Sequence, residues 1–192
     1  MEPRQIIKRS NERMAVVDLE SELLQSKILF ITGVIDEESV ATYQAELMYL
    51  VSQINDKNKN PIKIYINSPG GEVYSMLGLY DVIQRYIQEG YIIQTKAIGL
   101  AASAAALILL SGSKGYRSMS PHSKVMIHQP SSSTYGTITD MKIDLEENLR
   151  IKEELNEIIK KHSGQDLSNL TERNKWLPPE EALSYGLIDK VS

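Results

Sequence analysis

Ser103 and His128 are the residues of this chain whose types and surroundings best fit nucleophilic catalysis. Ser103 begins a run of small apolar residues, and His128 closes the short β-prone run VMI. A serine that follows a strand and starts a helix presents its hydroxyl at the sheet edge, where first-turn N–H groups favour negative charge. Such a serine is also commonly a helix N-cap, and a lone histidine at a strand end is commonly a core residue. These two residues alone therefore leave both interpretations open.

The segment NSPGG, residues 67–71, is a second candidate for chemistry. Pro-Gly-Gly usually marks a tight turn, and we predict a turn here. Glycine also lets backbone N–H groups approach a ligand closely, as an oxyanion hole requires. The structural and the functional interpretation of Gly70 and Gly71 are compatible.

Composition argues against several other classes of function. The 192 residues include no cysteine, which excludes disulfides, Cys-ligated zinc and a cysteine nucleophile. The net charge of −4 argues against nucleic acid or an anionic membrane as a partner. His122 lies in a predicted turn and His162 at a helix C-terminus that favours a cation, so we interpret both as structural. The histidines are too scattered for a metal site, and we expect none.

The elements that must position these residues alternate between strands and helices. Apolar runs predict strands at 27–33, 62–66, 91–98 and 124–127, and apolar spacings of three and four predict helices at 37–54, 73–88 and 101–110. This alternation predicts an α/β domain with a mostly parallel sheet and active groups at the C-terminal ends of its strands. NSPGG and GLAAS (99–103) both lie where such a site would be.

The two ends of the chain carry weaker signals. Residues 1–12 are polar and aperiodic, and we predict a mobile arm followed by a short amphipathic helix at 16–24. A long helix should run over 138–161, with Thr137 and Asp140 as a capping box and Gly164 as its stop. Its length suggests that it projects or lies across another subunit. Pro178 and Pro179 begin a last short helix, and 187–191 fits an edge strand.

No linker or repeat divides the chain, so we predict one domain over 1–192. Its start lacks the apolar segment of a secretory signal. The apolar run 98–110 is too short to span a bilayer. We therefore expect a cytoplasmic protein that does not bind membranes.

Five motifs in collinear order resemble the ClpP family, the proteolytic subunits of the ATP-dependent Clp protease. They are INSPGGEV, GLAAS, KVMIHQP, NEIIKKHSGQ and TERNKWLPPEEALSYGLIDKV, within residues 13–191. The resemblance implies a ClpP/crotonase-type fold assembled as two stacked seven-membered rings around a chamber. Residues 131–162 would form its handle region, and the long helix would lie at the ring-to-ring contact.

The same resemblance implies a serine endopeptidase that degrades unfolded polypeptides. An unfoldase ATPase such as ClpX or ClpC would feed the chamber and use the ATP, and this subunit would need no cofactor. Ser103 would be the nucleophile, His128 the general base, and the N–H groups of Gly71 and Ala104 the oxyanion hole.

The resemblance implies that Asn174 is the third member of the catalytic triad, at a position where the family has an aspartate after a motif like Thr-Glu-Arg. An asparagine oxygen can accept from the imidazole Nδ1–H, but it brings no charge to stabilise the imidazolium. We therefore predict weak activity for the isolated protein. A second departure places Ala104-Ala105 where most relatives have Met-Gly, which alters the substrate-side surface.

Two alternative functions come from other classes. The chain would be a largely inactive structural or regulatory ring subunit if it worked only when mixed with a companion ClpP paralogue. Ser103 and His128 favour the enzyme, and Asn174 favours the companion role. Crotonase-type enzymes use the same fold on acyl-CoA, but they do not need Ser103 paired with His128.

Overall fold

A mostly parallel sheet forms the centre of the molecule. The structure is a computed structural model, and it describes residues 5–10, 13–57 and 60–192. The strands in these ranges are β1 (Gln5–Ser10), β2 (Arg13–Asp18), β3 (Ile28–Ile35), β4 (Ile62–Gly71), β5 (Ile93–Ala102), β6 (Arg117–Met119), β7 (Lys124–Ile127), β8 (Lys175–Leu177) and β9 (Lys190–Val191). In the central sheet the pairs β3–β4, β4–β5, β5–β6, β5–β7 and β6–β9 are parallel, and β7–β8 is antiparallel.

Helices connect the parallel strands, as the predicted α/β class requires. They are α1 (Leu19–Gln25), α2 (Glu37–Ser52), α3 (Val73–Gln88), α4 (Ala104–Leu110), α5 (Ile138–Ser163), α6 (Ser168–Thr171) and α7 (Pro179–Ser184). Every residue of α4 is buried. This helix lies inside the core, where it contacts β4 and β5 of the sheet and the helices α3 and α5. The prediction of an α/β fold with a mostly parallel sheet is confirmed. No helix in the described ranges has the length and apolarity needed to cross a bilayer.

The described residues before 19 differ from the sequence prediction. Residues 5–10, predicted as part of a mobile arm, form β1 and pair antiparallel with β2; 1–4 and 11–12 lie outside the described residues. The predicted helix at 16–24 begins only at Leu19, because 16–18 belong to β2. Asp18 then caps α1 by accepting from Ser21 N at 2.8 Å and Glu20 N at 3.1 Å.

The NSPGG segment is not a turn, because β4 continues through Gly71. The register of β4 is irregular on both sides here, with breaks between Thr32 and Val34 on β3 and between Ile66 and Ser68 on β4. A proline is tolerated inside a sheet at such an irregularity. The glycines therefore extend the strand where the sequence suggested a reversal.

Helix α4 also begins later than predicted. Ala101 and Ala102 belong to β5, and the helix starts at Ala104. β6, α6 and β8 were not predicted, because each has only three or four residues and carries too little periodicity to detect. The predicted edge strand at 187–191 is confined to the two residues of β9, which pairs with β6 at the sheet edge.

The long helix α5 matches its prediction closely. Thr137 Oγ1 accepts from Asp140 N at 3.2 Å, and Gly164 ends the helix with a left-handed φ of 78°. Its buried residues begin only at Ile151, and Ile138, Leu145 and Leu149 are exposed. The first half of α5 therefore projects away from the core of this chain.

Candidate active site

Ser103 occupies a sharp bend between β5 and α4. Its φ of 55° and ψ of −124° lie outside the regions that a side chain ordinarily adopts, at a cost of about 1–3 kcal/mol. Ser103 N donates to Met126 O at 2.8 Å, which anchors the bend to β7. The hydroxyl makes no capping hydrogen bond to α4. The strained backbone therefore presents the Ser103 hydroxyl for another contact, and the hydroxyl does not cap α4.

His128 directly follows β7 and faces Ser103. β7 pairs with the end of β5, with Ala102 opposite Met126, which brings the two chain segments side by side. The distance between His128 Nε2 and Ser103 Oγ is 2.8 Å, a hydrogen bond in which the hydroxyl donates when Nε2 is unprotonated. His128 is neither buried nor fully exposed. The pair has the geometry that a serine nucleophile and its base require.

Gly70 approaches the Ser103 bend so closely that no side chain fits. A Cβ on Gly70 would lie 2.5 Å from Ala102 O, 2.8 Å from Ser103 Cβ and 2.9 Å from Ala104 N, and its φ is +92°. This contact explains the glycine at position 70: the strand must pass against the backbone that carries Ser103.

Gly71 and Ala104 present backbone N–H groups near the same bend. Ala104 is the first residue of α4, so its N–H has no acceptor inside the helix. Glu72 N donates to Ile35 O at 2.7 Å, which fixes the end of β4 against β3. A side chain on Gly71 would overlap Ile35 O.

Asn174 comes directly before β8 and opposite His128. Ile127 pairs with Lys175 in the antiparallel β7–β8 register, so residues 128 and 174 are the next pair along. Asn174 is exposed, and among the described residues its side chain has no hydrogen bond to His128. The backbone thus brings residue 174 beside the imidazole without a completed Ser-His-Asn chain of hydrogen bonds.

Helix α5 closes one side of the site, and sequence reasoning missed this contribution. A pocket is lined by Ser103, His128 and residues on one face of α5. Those residues are Lys152, Leu155, Asn156 and Ile159, at helical spacings of three and four. The spacing was visible in the sequence, but nothing there indicated that this face covers Ser103.

His162 lies in a separate polar cluster. There it is neutral, although a helix C-terminus favours a cation. Burial, followed by the charges of Lys161, Arg117 and Lys114, lowers the pKa of His162 to about 4, so it is neutral near pH 7. Its Nε2 lies 2.8 Å from Tyr80 Oη. The helix-end carbonyl that a cation would have compensated is bonded by Arg117 instead, from Nη1 to His162 O at 3.0 Å.

Arg117 is completely buried and is held by Asp189. Its Nη2 lies 2.8 Å from Asp189 Oδ1, and its Nε lies 3.0 Å from Oδ2. Burial alone would raise the pKa of Asp189, but the Arg117 hydrogen bonds and charge lower it to about 2. His122 is exposed. In the ranges that the structure describes, no group of three or more His, Asp or Glu side chains could hold a metal ion.

Comparison with known proteins agrees with the geometry. The family model for Clp protease matches residues 10–192. The chain is also 42% identical over 189 residues to the ATP-dependent Clp protease proteolytic subunit of Porphyromonas gingivalis (strain ATCC BAA-308 / W83), covering 97% of this chain and 82% of that protein. The chain belongs to the Clp protease family, a family of serine peptidases.

Proposed function

We propose that this chain is a serine endopeptidase subunit that hydrolyses unfolded polypeptides through an acyl-enzyme. The observation that carries the proposal is the 2.8 Å hydrogen bond between Ser103 Oγ and His128 Nε2, at a strained bend beside a pocket. Ser103 Oγ attacks the peptide carbonyl while His128 takes its proton. The imidazolium then gives that proton to the departing amine as the C–N bond breaks, and water hydrolyses the acyl-serine.

The N–H groups of Gly71 and Ala104 would stabilise the oxyanion that forms during attack. Two observations support this role: the Ala104 N–H has no acceptor in α4, and the segment of β4 that ends at Gly71 passes against residues 102–104. Removing one such donor from a serine protease typically costs about 10²–10³ in turnover. Both donors are backbone groups, so the role does not depend on the side chains that differ from the family.

Asn174 makes the isolated protein a weak enzyme in this account. An amide carries no charge to stabilise the imidazolium, and in a Ser-His-Asp triad the Asp-to-Asn change lowers turnover about 10⁴-fold. The exposed Asn174 side chain lacks a hydrogen bond to His128 among the described residues, which supports a second candidate function. In that function the chain is a ring subunit that supports a companion ClpP paralogue and cuts little itself.

The assembly and its partners follow the family. The relative in P. gingivalis is named as the proteolytic subunit of an ATP-dependent protease. We propose that this chain likewise forms two stacked seven-membered rings, with the exposed apolar residues of α5 at the contact between rings, and receives substrate from an unfoldase ATPase in the cytoplasm. ATP is consumed by that partner.

The test compares peptide hydrolysis by the purified homomeric protein and by Asn174→Asp. We expect slow cleavage by the natural protein and a gain in kcat of about 10²-fold or more in the variant. Asn169→Asp is the matched control, because Asn169 is an exposed residue of α6 and the substitution adds the same charge elsewhere. Fast cleavage by the natural protein with no gain in Asn174→Asp would overturn the weak-enzyme proposal.

A mixing experiment separates the two candidate functions. The natural protein is mixed with a companion ClpP whose catalytic serine has been replaced. In that mixture Ser103 of this chain is the one serine able to act as nucleophile. Cleavage that appears in the mixture favours the enzyme. If only the companion's own serine supports cleavage, the chain is a structural or regulatory subunit.

A further inference from the structure

The loop that carries Asn174 makes polar contacts with Gln129, next to His128, and with helix α5. The proposed chemistry does not use these contacts. Gln129, next to His128, donates from its N to Thr171 O at 2.5 Å and from Nε2 to Glu172 O at 2.8 Å. These bonds tie the backbone before Asn174 to the strand that ends at the imidazole.

Helix α5 holds the same loop through two side-chain contacts. Lys152 Nζ lies 2.6 Å from Glu172 Oε1. One turn further along, Asn156 Oδ1 accepts from Thr171 Oγ1 at 2.9 Å, and Thr171 is buried. Lys152 and Asn156 both line the pocket in front of Ser103, so one helix face contacts the pocket and the loop together.

We propose that Lys152 and Glu172 form a positioning pair that fixes the 172–174 loop and thereby governs whether residue 174 accepts a hydrogen bond from His128 Nδ1, a bond that the asparagine at 174 does not make in this structure. The inference rests on the proposed roles of His128 and Asn174. The Lys152 side chain is 26% exposed and that of Glu172 is 51% exposed, so the pair gives little stability to the fold. Its effect is on geometry: Glu172 is only two residues before Asn174, and misplacement by about 1 Å can cost about 10²-fold in rate.

The experiment is a thermodynamic cycle read at His128 by NMR titration of its imidazole. Four chains are compared: the natural protein, Asn174→Asp, Glu172→Gln and the double variant. A carboxylate beside Nδ1 favours the imidazolium, so Asn174→Asp should raise the His128 pKa by about one pH unit. In the Glu172→Gln background we expect less than half of that rise.

The cycle removes the direct electrostatic effect of Glu172, because that effect is present whichever residue occupies position 174. The charge swap K152E/E172K rebuilds the pair and should restore the full rise. Glu157→Gln is the matched control: it removes a carboxylate from α5 whose ion-pair partner is Lys160, at 3.6 Å, and not a residue of the loop. It should leave the rise unchanged.

Equal rises with and without Glu172 would overturn the proposal, and so would a charge swap that restores nothing. If Asn174→Asp raised the His128 pKa in neither background, residue 174 would not contact His128, and the positioning pair would be overturned as well. The readout needs no peptidase activity. An inactive protein with intact coupling would therefore contradict the proposed enzyme and leave the positioning pair standing.

Discussion

His128 and His162 make the same contact in two very different places. Each places Nε2 at 2.8 Å from a hydroxyl oxygen, that of Ser103 in the first case and of Tyr80 in the second. His162 is packed among Lys161, Arg117 and Lys114, and its pKa is about 4. Burial and then the charge of Asp81 raise the pKa of Tyr80 to about 12. His162 is thus a poor proton acceptor and Tyr80 a poor nucleophile near neutral pH.

The surroundings, and not the hydrogen bond, separate a site of chemistry from a structural contact. Ser103 is held at a strained bend with the Ala104 N–H beside it and a pocket in front. Tyr80 lies within α3 and packs edge-on to the His162 ring. A histidine bonded to a hydroxyl acquires a function only where strain, backbone donors and open space coincide.

Replacing each of the two histidines should give the largest difference between the two places. In the Asn174→Asp background, His128→Ala should lower kcat about 10³-fold or more, because no other side chain in the described part of the chain is hydrogen-bonded to Ser103 Oγ and able to take its proton. His162→Gln should stay within about twofold of its parent, since Gln can still accept from Tyr80. The measurement is peptide hydrolysis under saturating substrate. Comparable losses in both variants would show that the contrast is wrong.

Sequence patterns were sufficient for the longer strands of the sheet and for the long helices because those elements are periodic, but not for the three-residue strands β6 and β8. The class of fold, α3 and α5 were predicted with little error, and Ser103 and His128 were singled out by the motifs around them. NSPGG was predicted wrongly, because Pro-Gly-Gly signals a turn and the close approach to Ser103 is a tertiary contact. The neutral state of His162 was missed for the same reason: Arg117 and Lys114 reach it only in the fold.

Gly70→Ala tests whether the bend at Ser103 depends on close backbone contact. The new Cβ would lie within 3 Å of three atoms of residues 102–104, so we expect kcat to fall about 10–100-fold as the nucleophile is displaced.

Gly33→Ala is the control for that substitution. Gly33 also has a positive φ, at +74°, but a Cβ there meets nothing within 4 Å. It should cost about 1 kcal/mol of stability and leave kcat near that of the parent. Equal loss of activity in both variants would mean that backbone strain alone, and not contact with the bend, is responsible.

The pH dependence of the free energy of unfolding gives a smaller expected effect, which involves His162 and not His128. The pKa of His162 is about 4 in the folded chain and near 6.5 when unfolded, so the unfolded chain binds more protons between these values. Stability contributed by neutral His162 is therefore complete near pH 7 and is lost as the pH falls through that window. The stability that Asp189 contributes, with its pKa lowered to about 2 in the folded chain, is complete above its ordinary value of 3.8 and is lost only as the pH falls from 3.8 through about 2.

Urea denaturation at about pH 7 and about pH 4.5 measures this contribution. The natural protein should lose about 1–2 kcal/mol more than His162→Gln over that interval, a figure reduced for the partial exposure of the ring. Exposed His122 provides the control, because His122→Gln should behave like the natural protein. An identical loss in all three proteins would remove His162 from the account.

The most direct measurement of the central claim is the site and rate of labelling by a fluorophosphonate, followed by mass spectrometry. The account predicts a single adduct on Ser103 that forms slowly in the natural homomeric protein and at least about tenfold faster in Asn174→Asp, with none in His128→Ala. An adduct on another residue, or equal rates with asparagine and aspartate at position 174, would contradict it.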